Sequence, residues 1–168
     1  MRADAEALYN ANHRGLFRYL CRAVGHVETA RDLTQDVFFR VSRSVIPAAP
    51  EGALRGWLFQ IARNLALDRG QRRPAIEPLT DTAVRPAPQE TSVEVNAALA
   101  ALADVDRDVF LMREVAGLGY DEIASACGLT PDAVRSRIHR ARLQLRERLS
   151  GQIAERRMTR MRRSGRNG

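Results

Sequence analysis

Residues 120–149 read YDEIASACGLTPDAVRSRIHRARLQLRERL, and this stretch decides the fold. A short amphipathic helix from Asp121 to Cys127 is closed by Gly128. Thr130 then offers an N-cap, with Pro131 at the first position of a second helix that runs to about Leu149. A short helix, a glycine-containing turn and a capped second helix form a helix-turn-helix. Ile123 and Ala124 are expected to bury against Leu129, Val134 and Ile138, and the small Ala124 lets the two helices approach closely. In the second helix Val134, Ile138, Ala141 and Leu145 make one inward stripe. At about 100° per residue, Asp132, Ser136, His139 and Arg140 point away from it, and Arg135 and Arg142 flank the apolar edge. Six arginines against Glu147 alone lie between residues 135 and 148, a charge pattern that suits base edges and phosphates better than a merely solvated face.

Outward from this pair the chain stays helical. A helix is expected over about Ser92–Leu102 and another from Asp104 or Asp106 to Val115, with Gly117 and Gly119 as punctuation. Upstream, PAIEPLTDTAVRPAPQET (74–91) holds four prolines and no apolar period, and it reads as an extended linker. Before it lie three more helical patterns. Leu8, Leu16, Tyr19, Leu20 and Val24 mark the first. Leu33, Val37, Phe38 and Val41 mark the second, over about Val27–Arg43. Leu54, Trp57, Leu58, Ile61, Ala62 and Leu65 mark the third, at i, i+3, i+4, i+7, i+8 and i+11. VIPAAPEG (45–52) separates the last two, because its prolines forbid a continuous helix. Trp57 could stack on a base, but its place on the apolar stripe favours core packing.

The expected fold class is therefore all-α: two small helical domains joined by a Pro-rich linker, the C-terminal one a helix-turn-helix. The divisions are 1–73, the linker 74–91, 92–151, and a basic tail 152–168 expected to be disordered. Charge follows these divisions, at +5, −2, −1 and +5 of the total +7, with every one of the 27 basic residues an arginine. Such a balance favours a polyanionic partner. Cys21 and Cys127 are far apart and match no metal-ligand spacing, so neither a metal nor another cofactor is expected. No apolar run reaches membrane-spanning length and no signal-peptide core opens the chain, so a soluble cytoplasmic protein with no membrane insertion is expected.

Taken together, ARDLTQDVF (30–38), LRGWLFQIARNLALDRGQRR (54–73) and DRDVFLMREVAGLGYDEIASACGLTPDAVRSRIHRAR (106–142) resemble the extracytoplasmic-function (ECF) sigma factors of the sigma-70 family, over about Leu8–Leu149. The resemblance implies a protein without catalysis that binds core RNA polymerase and directs promoter recognition and transcription initiation. It implies polymerase contacts at Asp32, Gln35 and Asp36. It implies minus-ten recognition and melting through Asn64, which would read a flipped base, with Arg55, Arg63, Arg72 and Arg73 on phosphates and a pocket loop over Val45–Ala53. It implies minus-thirty-five reading by Arg135, Ser136, His139 and Arg140. Promoter DNA, core polymerase and an anti-sigma factor are the implied partners of a monomer. The loop VIPAAPEG lacks the aromatic and polar residues the family often has there, which leaves the preferred minus-ten base open.

Three rivals remain at this point. A conventional helix-turn-helix regulator would act on duplex DNA without polymerase, but has no use for the motifs in residues 30–73. An adaptor or anti-sigma protein would not need the arginine-bearing helix. An enzyme is the weakest, since no nucleophile–base pair or phosphate-cradling glycine loop appears. The tail QIAERRMTRMRRSGRNG (152–168) lies outside the shared pattern; it would touch upstream DNA or an acidic partner, or do nothing.

Overall fold

The computed structural model describes the backbone of residues 2–69 and 89–164, and side chains over 5–69 and 93–162. Among these residues every regular element is helical. The N-terminal group is α1 (Arg2–Val24), α2 (Val27–Arg43) and α3 (Glu51–Asp68); the C-terminal group is α4 (Gln89–Ala100), α5 (Asp104–Glu114), α6 (Tyr120–Cys127) and α7 (Pro131–Ser164). The proline-rich stretch expected to link the groups lies almost wholly outside the described residues, as do Arg72 and Arg73.

Local chemistry sets the ends. Gly25, at φ 78°, makes the turn between α1 and α2. Pro47 and Pro50 keep the 44–50 segment out of helix, and α3 begins at once behind Pro50. Gly128 stands at φ 65°, in the left-handed region that closes α6, and its N–H is donated to the Ala124 carbonyl. Thr130 accepts the Ala133 N–H at 3.2 Å, the N-cap expected from the sequence. Thr130→Ala is expected to cost about 1 kcal/mol and to lower the melting temperature by about 2–4 °C in a chain of this size, read by thermal circular dichroism.

The expected inward stripe of α7 is buried at Val134, Ile138, Ala141 and Leu145, against buried Ile123 and Ala124 of α6. Trp57 is half-buried and packs on the core. Two features differ from the sequence reading. First, α7 does not stop near Leu149: it continues to Ser164, through most of what was expected to be a disordered tail. Between those residues Gly151 opposes helix most strongly, while the more numerous Gln, Ala, Glu, Arg and Met favour it. Arg156 also ties this extension back to Glu94 of α4, at 2.6 Å.

Second, the expected two-domain layout is present, but the sequence does not announce that the two groups pack on each other. One contiguous apolar cluster runs from Leu8, Leu16 and Leu20 through Leu58, Phe59 and Leu65 to Val109, Met112 and Ile123. α6 lies along α3, and α1 touches α5. The helices can come this close because α3 carries glycine at the crossing. A Cβ at Gly56 would stand 2.8 Å from the Glu122 carbonyl oxygen and 3.1 Å from the Ser125 Cβ.

Candidate nucleic-acid interface

With its apolar stripe buried, α7 turns Arg135, Ser136, His139 and Arg140 to solvent in its first three turns. All four residues expected to read duplex DNA therefore share an open surface. Their freedom differs. Arg135 bonds Asp132 one turn back at 3.0 Å and lies over the Tyr120 ring. Ser136 and His139 are exposed. Arg140 is 55% exposed, and its Nε is 3.9 Å from the carboxylate of Asp106. Arg137 takes the stronger hold on that carboxylate, at 2.7 Å. Asp106 is itself buried near the start of α5. It anchors the middle of α7 through Arg137 and leaves the Arg140 fork facing outward. Arg142 pairs with Glu114, and that hydrogen bond and charge hold its pKa above the ordinary arginine value.

The minus-ten candidates divide in a way the sequence does not announce. Asn64 is exposed, with its amide available to donate and accept. Its neighbour Arg63 turns the other way. Its Nε donates to Asp108 Oδ2 at 2.9 Å, and the side chain is 16% exposed. Burial works against the Arg63 charge, but the hydrogen bond and charge of Asp108 outweigh it, so its pKa is raised. Arg55 donates to the Ala116 carbonyl at 2.6 Å and stands 3.7 Å from Glu122. Two of the arginines expected on phosphates are thus engaged by α5, α6 and the turn between them. An open cavity of about 430 Å³ lies between α1 and the start of α3, lined by Leu8, Asn12, Leu54 and the 46–49 stretch of the expected pocket loop.

The polymerase candidates lie on α2. Asp32 and Gln35 are exposed, and Gln35 borders a groove of about 270 Å³ with Tyr9, His13, Phe17 and Thr34. Asp36 is half-buried and paired with Arg69 just beyond α3.

Sequence reasoning missed Asp108, whose carboxylate takes both Arg63 and the Tyr19 hydroxyl, the latter at 3.0 Å. A signal was present. Val105, Asp108, Val109 and Met112 fall at i, i+3, i+4 and i+7, which sets an acid on the inward stripe of α5. Among the described residues no cluster of three or more His, Cys, Asp or Glu side chains could hold a metal, and no helix is long and apolar enough to cross a membrane.

Comparison with known proteins agrees with this layout. Residues 8–74 match the family described as Sigma-70 region 2, and residues 92–145 match Sigma-70, region 4. The chain is 37% identical over 153 residues to the ECF RNA polymerase sigma factor SigE of Mycolicibacterium smegmatis, covering 83% of this chain and 59% of that protein. It therefore spans less than two thirds of that relative. It is 29% identical to the RNA polymerase sigma factor YlaC of Bacillus subtilis, covering 94% of this chain and 98% of that one. With the ECF RNA polymerase sigma factor SigC of Mycobacterium tuberculosis it shares 30% over 147 residues, covering 82% of this chain and 78% of that one. Among solved structures, CnrH in complex with the cytosolic domain of CnrY superposes with a TM-score of 0.68 at 26% identity, covering 90% of each chain. The sigma factor RpoE in complex with the anti-sigma factor NepR from Bartonella quintana shares the fold, with a TM-score of 0.65 at 21% identity, covering 89% of this chain and 98% of that one.

Proposed function

We propose, from the premise that this chain belongs to the sigma-70 family of RNA polymerase sigma factors and to its extracytoplasmic-function branch, that it binds core RNA polymerase and directs it to a set of promoters. The observation that carries this reading is the joining, in one chain and in order, of region 2 over residues 8–74 and region 4 over 92–145. A conventional helix-turn-helix regulator has no use for the first. In this reading residues 1–73 engage polymerase and the minus-ten element, 92–151 read the minus-thirty-five element, and 74–91 connect them. The charged end of α7 is an addition to that plan.

Roles follow from what each side chain offers. Asp32 and Gln35 present acceptors to a basic surface of the polymerase, and Asp36 joins them on leaving Arg69. Asn64 reads an unstacked base on its pairing edge. Arg55, Arg63, Arg72 and Arg73 hold phosphates. Arg135, Ser136, His139 and Arg140 enter the major groove. The protein works as a cytoplasmic monomer and performs no chemistry of its own. An anti-sigma factor restrains it, a reading supported by the anti-sigma factor NepR bound to one of the solved structures of this fold.

The test is transcription from randomised promoter fragments by sigma-free core polymerase mixed with the purified protein. Initiation from a subset sharing two spaced elements is expected. Asn64→Ala should flatten base preference in the downstream element and leave the upstream element intact. If core polymerase neither binds the protein nor initiates with it, the proposal fails. Tight duplex binding without polymerase would then point to a conventional regulator.

A further inference from the structure

Tyr120 stands at the start of α6, half-buried beside the first turns of α7. Two arginines meet its ring. The guanidinium carbon of Arg113, on α5, lies 4.9 Å from the ring centroid, and that of Arg135 lies at 5.3 Å. Arg113 is itself fixed, because it donates to the carbonyl of fully buried Leu118 at 2.8 Å. A line of contacts thus runs from the backbone of the α5–α6 turn, through Arg113 and the ring, to Arg135 on the outer face of α7. The manner of holding matters. Arg137 and Arg142 spend N–H donors on the carboxylates of Asp106 and Glu114. An aromatic ring attracts a guanidinium through its quadrupole and leaves the in-plane donors free. Arg135 gives only its Nη1 donor to Asp132, at 3.0 Å, in an exposed i,i+3 pair that by itself holds a side chain weakly. Its Nε and Nη2 form the parallel pair that can grip a base edge at two points.

We propose that Tyr120 is a positioning residue for promoter reading: its ring, held by Arg113, orders the Arg135 guanidinium in the free protein so that its unspent donors meet one base pair of the upstream element. The inference rests on the reading above, in which Arg135 enters the major groove. A surface arginine has a long, mobile side chain, and freezing it on binding subtracts from affinity. The ring removes part of that loss before DNA arrives, as a supporting shell does for any site whose side chains must be precisely placed. It also fixes the direction in which the fork reaches. The gain therefore falls on the base pair that Arg135 meets and not on the duplex as a whole. Tyr120 needs no contact with DNA for this, and the part that acts is the ring and not its hydroxyl.

Two measurements on the full chain test this. Nuclear magnetic resonance of the arginine Nε–H groups, in the free protein, reads whether Arg135 is ordered against a ring. Competition binding by the polymerase–protein complex, across single-base variants of the upstream element, reads preference at the base pair that Arg135→Ala identifies. Tyr120→Leu keeps apolar bulk without a ring. It should release the Arg135 signal to that of a mobile side chain and reduce preference at that one base pair about twofold to fivefold. Preference elsewhere and the salt dependence of binding should stay as they were. Tyr120→Phe should retain both the order and the preference, and Tyr120→Leu added to Arg135→Ala should cost nothing more at that base pair. An Arg135 signal already mobile in the wild type overturns the proposal. So does a Tyr120→Leu variant that weakens all sequences alike, or one that loses as much in the Arg135→Ala background. Should Tyr120→Leu lose its helical circular dichroism, Tyr120→Phe and the wild type decide, and loss of Arg135 order or preference in Tyr120→Phe refutes the role of the ring. Failure of the sigma reading shows separately: an ordered Arg135 in a protein with which core polymerase never initiates leaves the contact standing and removes its role at promoters.

Discussion

Phe59→Ala is expected to lower the unfolding free energy by about 3–5 kcal/mol, among the largest single losses this chain can show. Phe59 is fully buried, and its ring lies 5.6 Å from that of Tyr19, itself fully buried. Truncation removes the transfer free energy of the ring and leaves a cavity in a core whose helices at both sides are pinned. Urea denaturation followed by circular dichroism measures the loss. The same experiment tests the continuous core: helical signal from both halves should disappear in one transition, because α3 contributes apolar surface to each. Loss of half the helical signal at low urea, with the rest unaffected, would show that the halves are stable separately and that Phe59 serves only one of them.

Phe59 also shows where the sequence stops being legible. The stripe of Leu54, Trp57, Leu58, Ile61, Ala62 and Leu65 marks α3 and its inner face correctly, and Phe59 stands beside that stripe. It is buried because α3 is flanked by its own group on one side and by α6 on the other. A pattern read along one helix reports that a wide arc is apolar, not which distant segment covers it. Gly56 has the same character. In sequence it is a mild helix breaker between Arg55 and Trp57; in the fold it is the place where another backbone comes close. Local signals were read well: the Thr130 cap, the left-handed Gly128, the bounds of α2, and the buried Val134, Ile138, Ala141 and Leu145 all depend on neighbours within a few residues.

The candidate sites divide along the same line. Helical phase alone places Ser136, His139 and Arg140 on an exposed face, the family resemblance singles out Asn64, and all four are exposed. Arg55 and Arg63 were also given to DNA, and phase cannot say that carboxylates from α5 and α6 reach them first. Asp36 is a smaller case, since Arg69 lies 33 residues away in sequence and beside it in space. The end of α7 fails for a different reason. The charge of an arginine run suggests a solvated arm, but Ala, Glu, Gln, Met and Arg also prefer helix, and in α7 that preference prevails. Gly151 argues most strongly against that helix, at a cost of about 1 kcal/mol.

Arg140→Ala is expected to weaken promoter discrimination by about 1–3 kcal/mol at one base pair of the upstream element, roughly fivefold to 150-fold in preference. The geometry explains why this arginine and not its neighbour. Arg137 spends its guanidinium on the buried Asp106, whereas Arg140 stands beyond hydrogen-bond reach of the same carboxylate with its fork outward. Arg137→Ala should therefore act mainly on folding, by leaving a buried acid without its hydrogen bond, and Arg140→Ala mainly on recognition. Competition binding by the polymerase–protein complex, run across single-base variants of the element at several salt concentrations, separates two roles for Arg140. A base-reading arginine loses preference at one position while the others stay as they were. A phosphate-holding arginine weakens all sequences alike and reduces the slope of log affinity against log salt by about 1. The exposure of Arg140 beside Ser136 and His139 on one face of α7 favours the first result, and uniform weakening would move Arg140 to the backbone and leave Ser136 and His139 to read the bases.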